Sequence, residues 1–127
     1  MNYLLDTNII IWFMENNEEL PSDIRNIILD DENDIFISIV SLWEIAIKYS
    51  LGKLKLSNCL EDFFKDIENE YYFKIISIKT KHILYQSDLS FIHKDPFDRL
   101  IYSTAKTENI NFLYTDKIFD EYDINTD

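Results

Sequence analysis

A chain of 127 residues has room for one domain with one core, and 46% apolar with 15% aromatic residues excludes a disordered polymer. A single glycine, Gly52, cannot build a glycine-rich phosphate loop or a dinucleotide turn, and a single cysteine, Cys59, excludes an internal disulfide and a cysteine zinc site. The formal net charge of −12 counts against a passive nucleic-acid binder, although bound divalent cations can reverse the sign locally in a nuclease.

Tyr3-Leu4-Leu5 reads as a short buried strand ending at Asp6. Asp6 or Thr7 then caps a helix through Ile9–Met14, and Pro21-Ser22-Asp23 restarts one with Ile24, Ile27 and Ile28 at helical spacing. After the acidic loop Asp30–Asp34, Ile35-Phe36-Ile37 is a second buried strand. Val40 to about Leu51 is a helix stopped by Gly52, with Trp43 expected in the core. A further helix is expected within Leu54–Glu70, a third strand over Tyr72–Ile78 and a short helix over Lys79–Leu89. Pro96–Glu108 is a helix with a marked start, Asn111–Tyr114 a fourth strand, and Lys117–Tyr122 a last helical turn. Strands alternating with helices predict an α/β fold, one domain over 1–127, with a parallel sheet covered on both faces.

Positive charge is concentrated in the middle of the chain: residues 1–47 carry ten acids and one base, residues 48–99 eight acids and nine bases. The opening MNYLLDTN has no basic segment before an apolar one, and no apolar run reaches the roughly 20 residues of a membrane span. A cytoplasmic protein is therefore expected.

Ligand sites in open parallel sheets form at the carboxyl ends of strands. Asp6 follows the first strand and Asp116 the fourth, while Glu44 and Asp98 lie on helices. Each has an ordinary structural reading: Asp6 and Asp116 fit helix caps, Asp95-Pro96-Phe97-Asp98 fits a helix start, and Glu44 can pair with Lys48 one turn on. Glu44 fits its ordinary reading least, because its helix is apolar around most of its circumference and a half-buried carboxylate needs a partner, a proton or a metal. Several carboxylates in one place repel one another until Mg²⁺ or Mn²⁺ joins them, and phosphodiester hydrolysis there requires no histidine or serine nucleophile. The only histidines are His82 and His93, and His93 is read as structural or supporting, able also to meet a phosphate.

Three blocks carry a family resemblance: Tyr3-Leu4-Leu5-Asp6-Thr7-Asn8; Ile37 to Lys48, continuing to Leu51-Gly52-Lys53-Leu54; and His93-Lys94-Asp95-Pro96-Phe97-Asp98-Arg99, with Thr115-Asp116 after it. In order and spacing they resemble PIN-domain proteins, and more narrowly the VapC-type toxin ribonucleases of bacterial toxin–antitoxin pairs. The resemblance implies a three-layer α/β/α sandwich, cleavage of single-stranded RNA with Mg²⁺ or Mn²⁺, a homodimer and inhibition by an antitoxin. It places the metal-binding acids at Asp6, Glu44, Asp98 and Asp116, with Asn8 orienting the first acid and Ser41 and Arg99 in supporting positions. Members often carry Thr or Ser two residues before the last acid; here that place holds Tyr114, with Thr115 beside Asp116. A receiver or haloacid-dehalogenase-like phosphatase fits poorly, since neither an acidic pair nor Asp-x-Asp follows the first strand. A catalytically silent interaction module of the same fold is the other alternative.

Overall fold

The computed structural model describes residues 1–125, with side chains through Tyr122. The four strands β1 (Asn2–Leu5), β2 (Asp34–Ser38), β3 (Lys74–Ile76) and β4 (Asn111–Leu113) form one sheet in the order β3-β2-β1-β4, every pair parallel. The helices are α1 (Thr7–Met14), α2 (Ser22–Leu29), α3 (Ile39–Ser50), α4 (Leu60–Asn69), α5 (Thr80–Asp88), α6 (Pro96–Glu108) and α7 (Ile118–Asn125).

Strand side chains alternate between faces, which sorts the core into two layers. Leu5, Ile35 and Ile37 pack with Ile9, Phe13, Ile28, Ile45, Phe63 and Ile67 of α1 to α4. Leu4 points the other way, onto Val40, Ile101 and Ala105, with Phe36 and Phe112 beside it. Next to that layer, Tyr102, Phe119, Tyr122 and Leu89 join α6 to α7 and the end of α5. The sheet thus lies between two helical layers, as the three-layer reading requires.

The register fixes where the strands stop. Leu5 pairs with Leu113 and Ser38 with Ile76. From the Leu5–Leu113 pair the chain enters α1 on one side and the Thr115-Asp116 turn on the other. The Asp6 N–H donates to the Leu113 carbonyl (2.9 Å), which binds the two departures together. α3 ends in a Schellman turn: Gly52, at φ 72°, donates to Tyr49, and Lys53 to Lys48.

Two expectations are corrected. The third strand is only Lys74–Ile76, because Tyr72 sits at φ 56° and the Phe73 N–H still serves the Ile67 carbonyl of α4. Trp43 is 60% exposed rather than in the core, leaning edge-to-face on Phe97 at 5.1 Å. No helix among the described residues is long and apolar enough to cross a membrane.

Candidate metal centre

A cleft of about 250 Å³ opens at the carboxyl ends of β1 and β4. Asp6, Glu44, Asp98 and Asp116 all line it, together with Asp95 and Asn8. Two larger hollows, of about 350 and 340 Å³, lie elsewhere. The first has no carboxylate in its lining, and in the second Asp34 is paired with Lys74 at 3.3 Å.

Asp6 is the N-cap of α1. Its Oδ1 accepts from the Ile9 N–H (2.8 Å) and its Oδ2 from the Thr115 N–H (3.1 Å), so both oxygens are oriented by backbone donors. Burial nevertheless dominates, and with Glu44 and Asp116 nearby its pKa is pushed up to about 6. Thr115 therefore contributes its main chain. Asn8 lines the cleft, but its side chain makes no hydrogen bond to Asp6 among the described residues.

Glu44 is buried on α3 between two partners. Its Oε1 accepts from Thr7 Oγ1 (2.7 Å), and its Oε2 meets Lys48 Nζ at 2.8 Å. Ser41, one turn earlier and fully buried, shares a hydroxyl–hydroxyl hydrogen bond with Thr7 (3.1 Å) and so supports Glu44 at one remove. Thr7 was legible only as a possible cap; its hydroxyl turns inward because Asp6 caps α1.

The start of α6 brings two more acids. Asp95 Oδ1 accepts from the N–H groups of Phe97 (2.9 Å) and Asp98 (3.4 Å), with Pro96 at the first helical position. Asp98 stands at the third helical position, where the helix dipole favours a carboxylate. Burial outweighs that, and with Asp95 and Glu44 nearby its pKa rises to about 7, while His93 pulls the other way. Glu44, Asp95 and Asp98 each offer an oxygen within 4.8 Å of the others, so Asp95 is both a cap and part of the tightest group. Asp116 is the most open acid, its side chain 55% exposed and its Oδ1 accepting from the Ile118 N–H at 3.1 Å.

Arg99 lies apart from the acids. Its buried guanidinium donates to the carbonyls of Gln86, Leu89, Ser90 and His93 and to Tyr122 Oη, at 2.8–3.3 Å. It binds the segment between α5 and α6 to the α6 helix, and that segment carries His93 into the cleft.

These carboxylates suit a hard divalent ion: they offer oxygens only, several of them buried, and burial with repulsion from the neighbouring acids raises the pKa of both Asp6 and Asp98. A cation in the cleft removes that repulsion.

Comparison with known proteins follows the same line. Residues 3–125 match the PIN domain family. Among solved structures, the chain is similar to VapBC2 from Rickettsia felis bound to a DNA fragment from their promoter, at 22% identity over 96% of this chain and 93% of that one, with a TM-score of 0.70. It is also similar to FitAcB from Neisseria gonorrhoeae, at 19% identity over 95% and 93% of the two chains, with a TM-score of 0.64. No curated protein gives a significant match.

Proposed function

From the premise that the chain belongs to the PIN domain family, we propose that it is a metal-dependent endoribonuclease, the toxin of a toxin–antitoxin pair, cutting single-stranded RNA with Mg²⁺ or Mn²⁺. One observation carries the reading: acids from four separate stretches of chain, Asp6, Glu44, Asp95 with Asp98, and Asp116, line one cleft where β1 and β4 end.

Asp6, Glu44, Asp98 and Asp116 would hold the ion, with Asp95 beside them. When bound, it lowers the cost of ionising water and stabilises charge developing on the scissile phosphate. The rest falls to the chain. Backbone N–H groups aim both oxygens of Asp6, and Thr7 aims Glu44. Lys48, 41% exposed at the cleft, offsets the repulsion that an RNA phosphate meets among carboxylates.

The three sequence blocks and the likeness to the VapBC2 structure support the narrower placement among VapC-type toxins, with a cognate antitoxin as partner and a cytoplasmic site of action. A homodimer is proposed on the apolar side chains left exposed along α3 and at its C-cap, Ile39, Trp43 and Leu51, and sedimentation equilibrium checks it.

The test is cleavage of a mixed pool of transfer, ribosomal and messenger RNA, with Mn²⁺ or with chelator. We expect cleavage only with metal, and a loss of about 10²-fold or more in each of Asp6→Ala, Glu44→Ala and Asp98→Ala, with folding confirmed by circular dichroism. Wild-type rates in all three variants would end the nuclease reading. A folded chain with no cleavage under any condition would leave the silent interaction module.

A further inference from the structure

We propose that His93 is a positioning residue for the metal centre, its Nε2–H holding the Asp98 carboxylate in place, with its tautomer dictated by the backbone of Asp95. The inference rests on the metal-nuclease reading and concerns a residue outside the acidic set.

His93 arrives in the cleft on the segment between α5 and α6, and each part of it is fastened. Its backbone N–H donates to Tyr122 Oη (2.9 Å), and its carbonyl accepts from Arg99 Nη1 (3.2 Å). The ring stands edge-on to Phe119 with centroids 5.2 Å apart. Nδ1 accepts from the Asp95 N–H at 3.3 Å. An accepting Nδ1 carries no proton, so the neutral ring keeps its proton on Nε2.

That nitrogen is buried, and it faces the acids. It lies 2.8 Å from Asp98 Oδ2 and 3.9 Å from Asp116 Oδ2, and the Asp98 contact is close without being aligned as a hydrogen bond. A ring bearing hydrogen on Nε2 cannot ligate a cation through that atom. A turn of the Asp98 carboxyl would align this contact as a hydrogen bond to one oxygen and leave the other for the ion. Such outer partners of metal ligands typically govern affinity by about 10- to 100-fold. His93 also spans the acid carried by α6 and the acid after β4, which no backbone pairing joins.

The experiment is Mn²⁺ titration by calorimetry of the wild type, His93→Leu and His93→Gln, with melting curves recorded in chelator. Leucine keeps bulk against Phe119 and removes the donor, whereas glutamine restores an N–H donor at similar reach. We expect Leu to weaken Mn²⁺ binding about tenfold or more and Gln to recover most of it. Long-range ¹H–¹⁵N spectra of the wild-type ring at pH 8 without metal should show the Nε2–H tautomer, a readout that survives even if a variant misfolds. Unchanged Mn²⁺ affinity in a folded His93→Leu overturns the proposal, as does a Nδ1–H tautomer. Equal loss in Gln and Leu overturns it too, since ring packing rather than the donor would then matter. A wild type that binds no Mn²⁺ is a different failure: it removes the metal reading itself, and this proposal with it.

Discussion

At the scale of single residues, the cleft is a place where ionisation opposes folding. Asp6 and Asp98 have folded-state pKa values of about 6 and about 7, above the ordinary 3.8. For a raised carboxyl the stabilisation is fully present below the unfolded value and is lost as pH climbs through the folded one. In chelator, therefore, the melting temperature should fall between pH 4 and pH 8. Asp6 alone accounts for on the order of 3 kcal/mol at about 1.4 kcal/mol per pKa unit. Asp98→Asn should flatten that slope, and Mn²⁺ should lift the pH 8 end of the wild-type curve. Thermal scans across pH check this, and a wild type and Asp98→Asn with the same profile would contradict the assigned cause. Arg99 illustrates the converse case. Its charge is buried among carbonyls, so it acts as a fastener of chain rather than as a partner for the acids.

At the scale of elements, α6 begins with a residue serving two ends. Asp95 caps the helix and also stands in the closest carboxylate trio. Substitution can separate the roles. Asp95→Asn keeps a capping oxygen and should hold wild-type stability within a few tenths of a kcal/mol, while weakening Mn²⁺ binding. Asp95→Ala should lose the cap as well, at about 1 kcal/mol. Denaturant melts paired with metal titration decide it, and equal metal affinity in Asp95→Asn and wild type would leave Asp95 as a cap alone.

The elements that were plain in the sequence are those whose pattern is local. β1 and β2 are short apolar runs, α6 carries Asp95-Pro96 at its head, and α3 stops at Gly52. α4 was expected within Leu54–Glu70 and starts only at Leu60. The preceding stretch is held out of the helix by a distant tie, with the Ser57 N–H and hydroxyl donating to the two carboxylate oxygens of Glu15 at 2.6 and 2.7 Å. The acids and their order along the chain were legible. Thr115 and His93 could be read as supporting residues, but the donors that aim the acids, the Thr7 hydroxyl and the Thr115 amide, were not legible, because they acquire their roles only when separate segments meet.

For the whole molecule, the net charge of −12 sets an unusual condition for a protein proposed to act on RNA. Lys48 is the one lysine in the lining of the cleft among the described residues. For one phosphate contact on a single strand, affinity falls with salt at a slope of about −0.7 in logarithms, roughly threefold between 50 and 200 mM. We expect KM for RNA to change by no more than that, and Lys48→Met to remove most of it. A steep loss, such as a basic binding face produces, would place substrate recognition outside this cleft.

The hydrogen bond from the Thr115 amide to Asp6 joins residues 109 positions apart, and β1 lies inside the sheet with β4 along its flank. The local bond from the Ile9 N–H can form early, but the Thr115 amide reaches Asp6 only after β4 has been made. The cleft that Asp6 and Asp116 share is therefore incomplete until the last strand has docked beside the first. The proposed nuclease would thus gain its complete site only once β4 is in place, which would spare its own translation machinery until then.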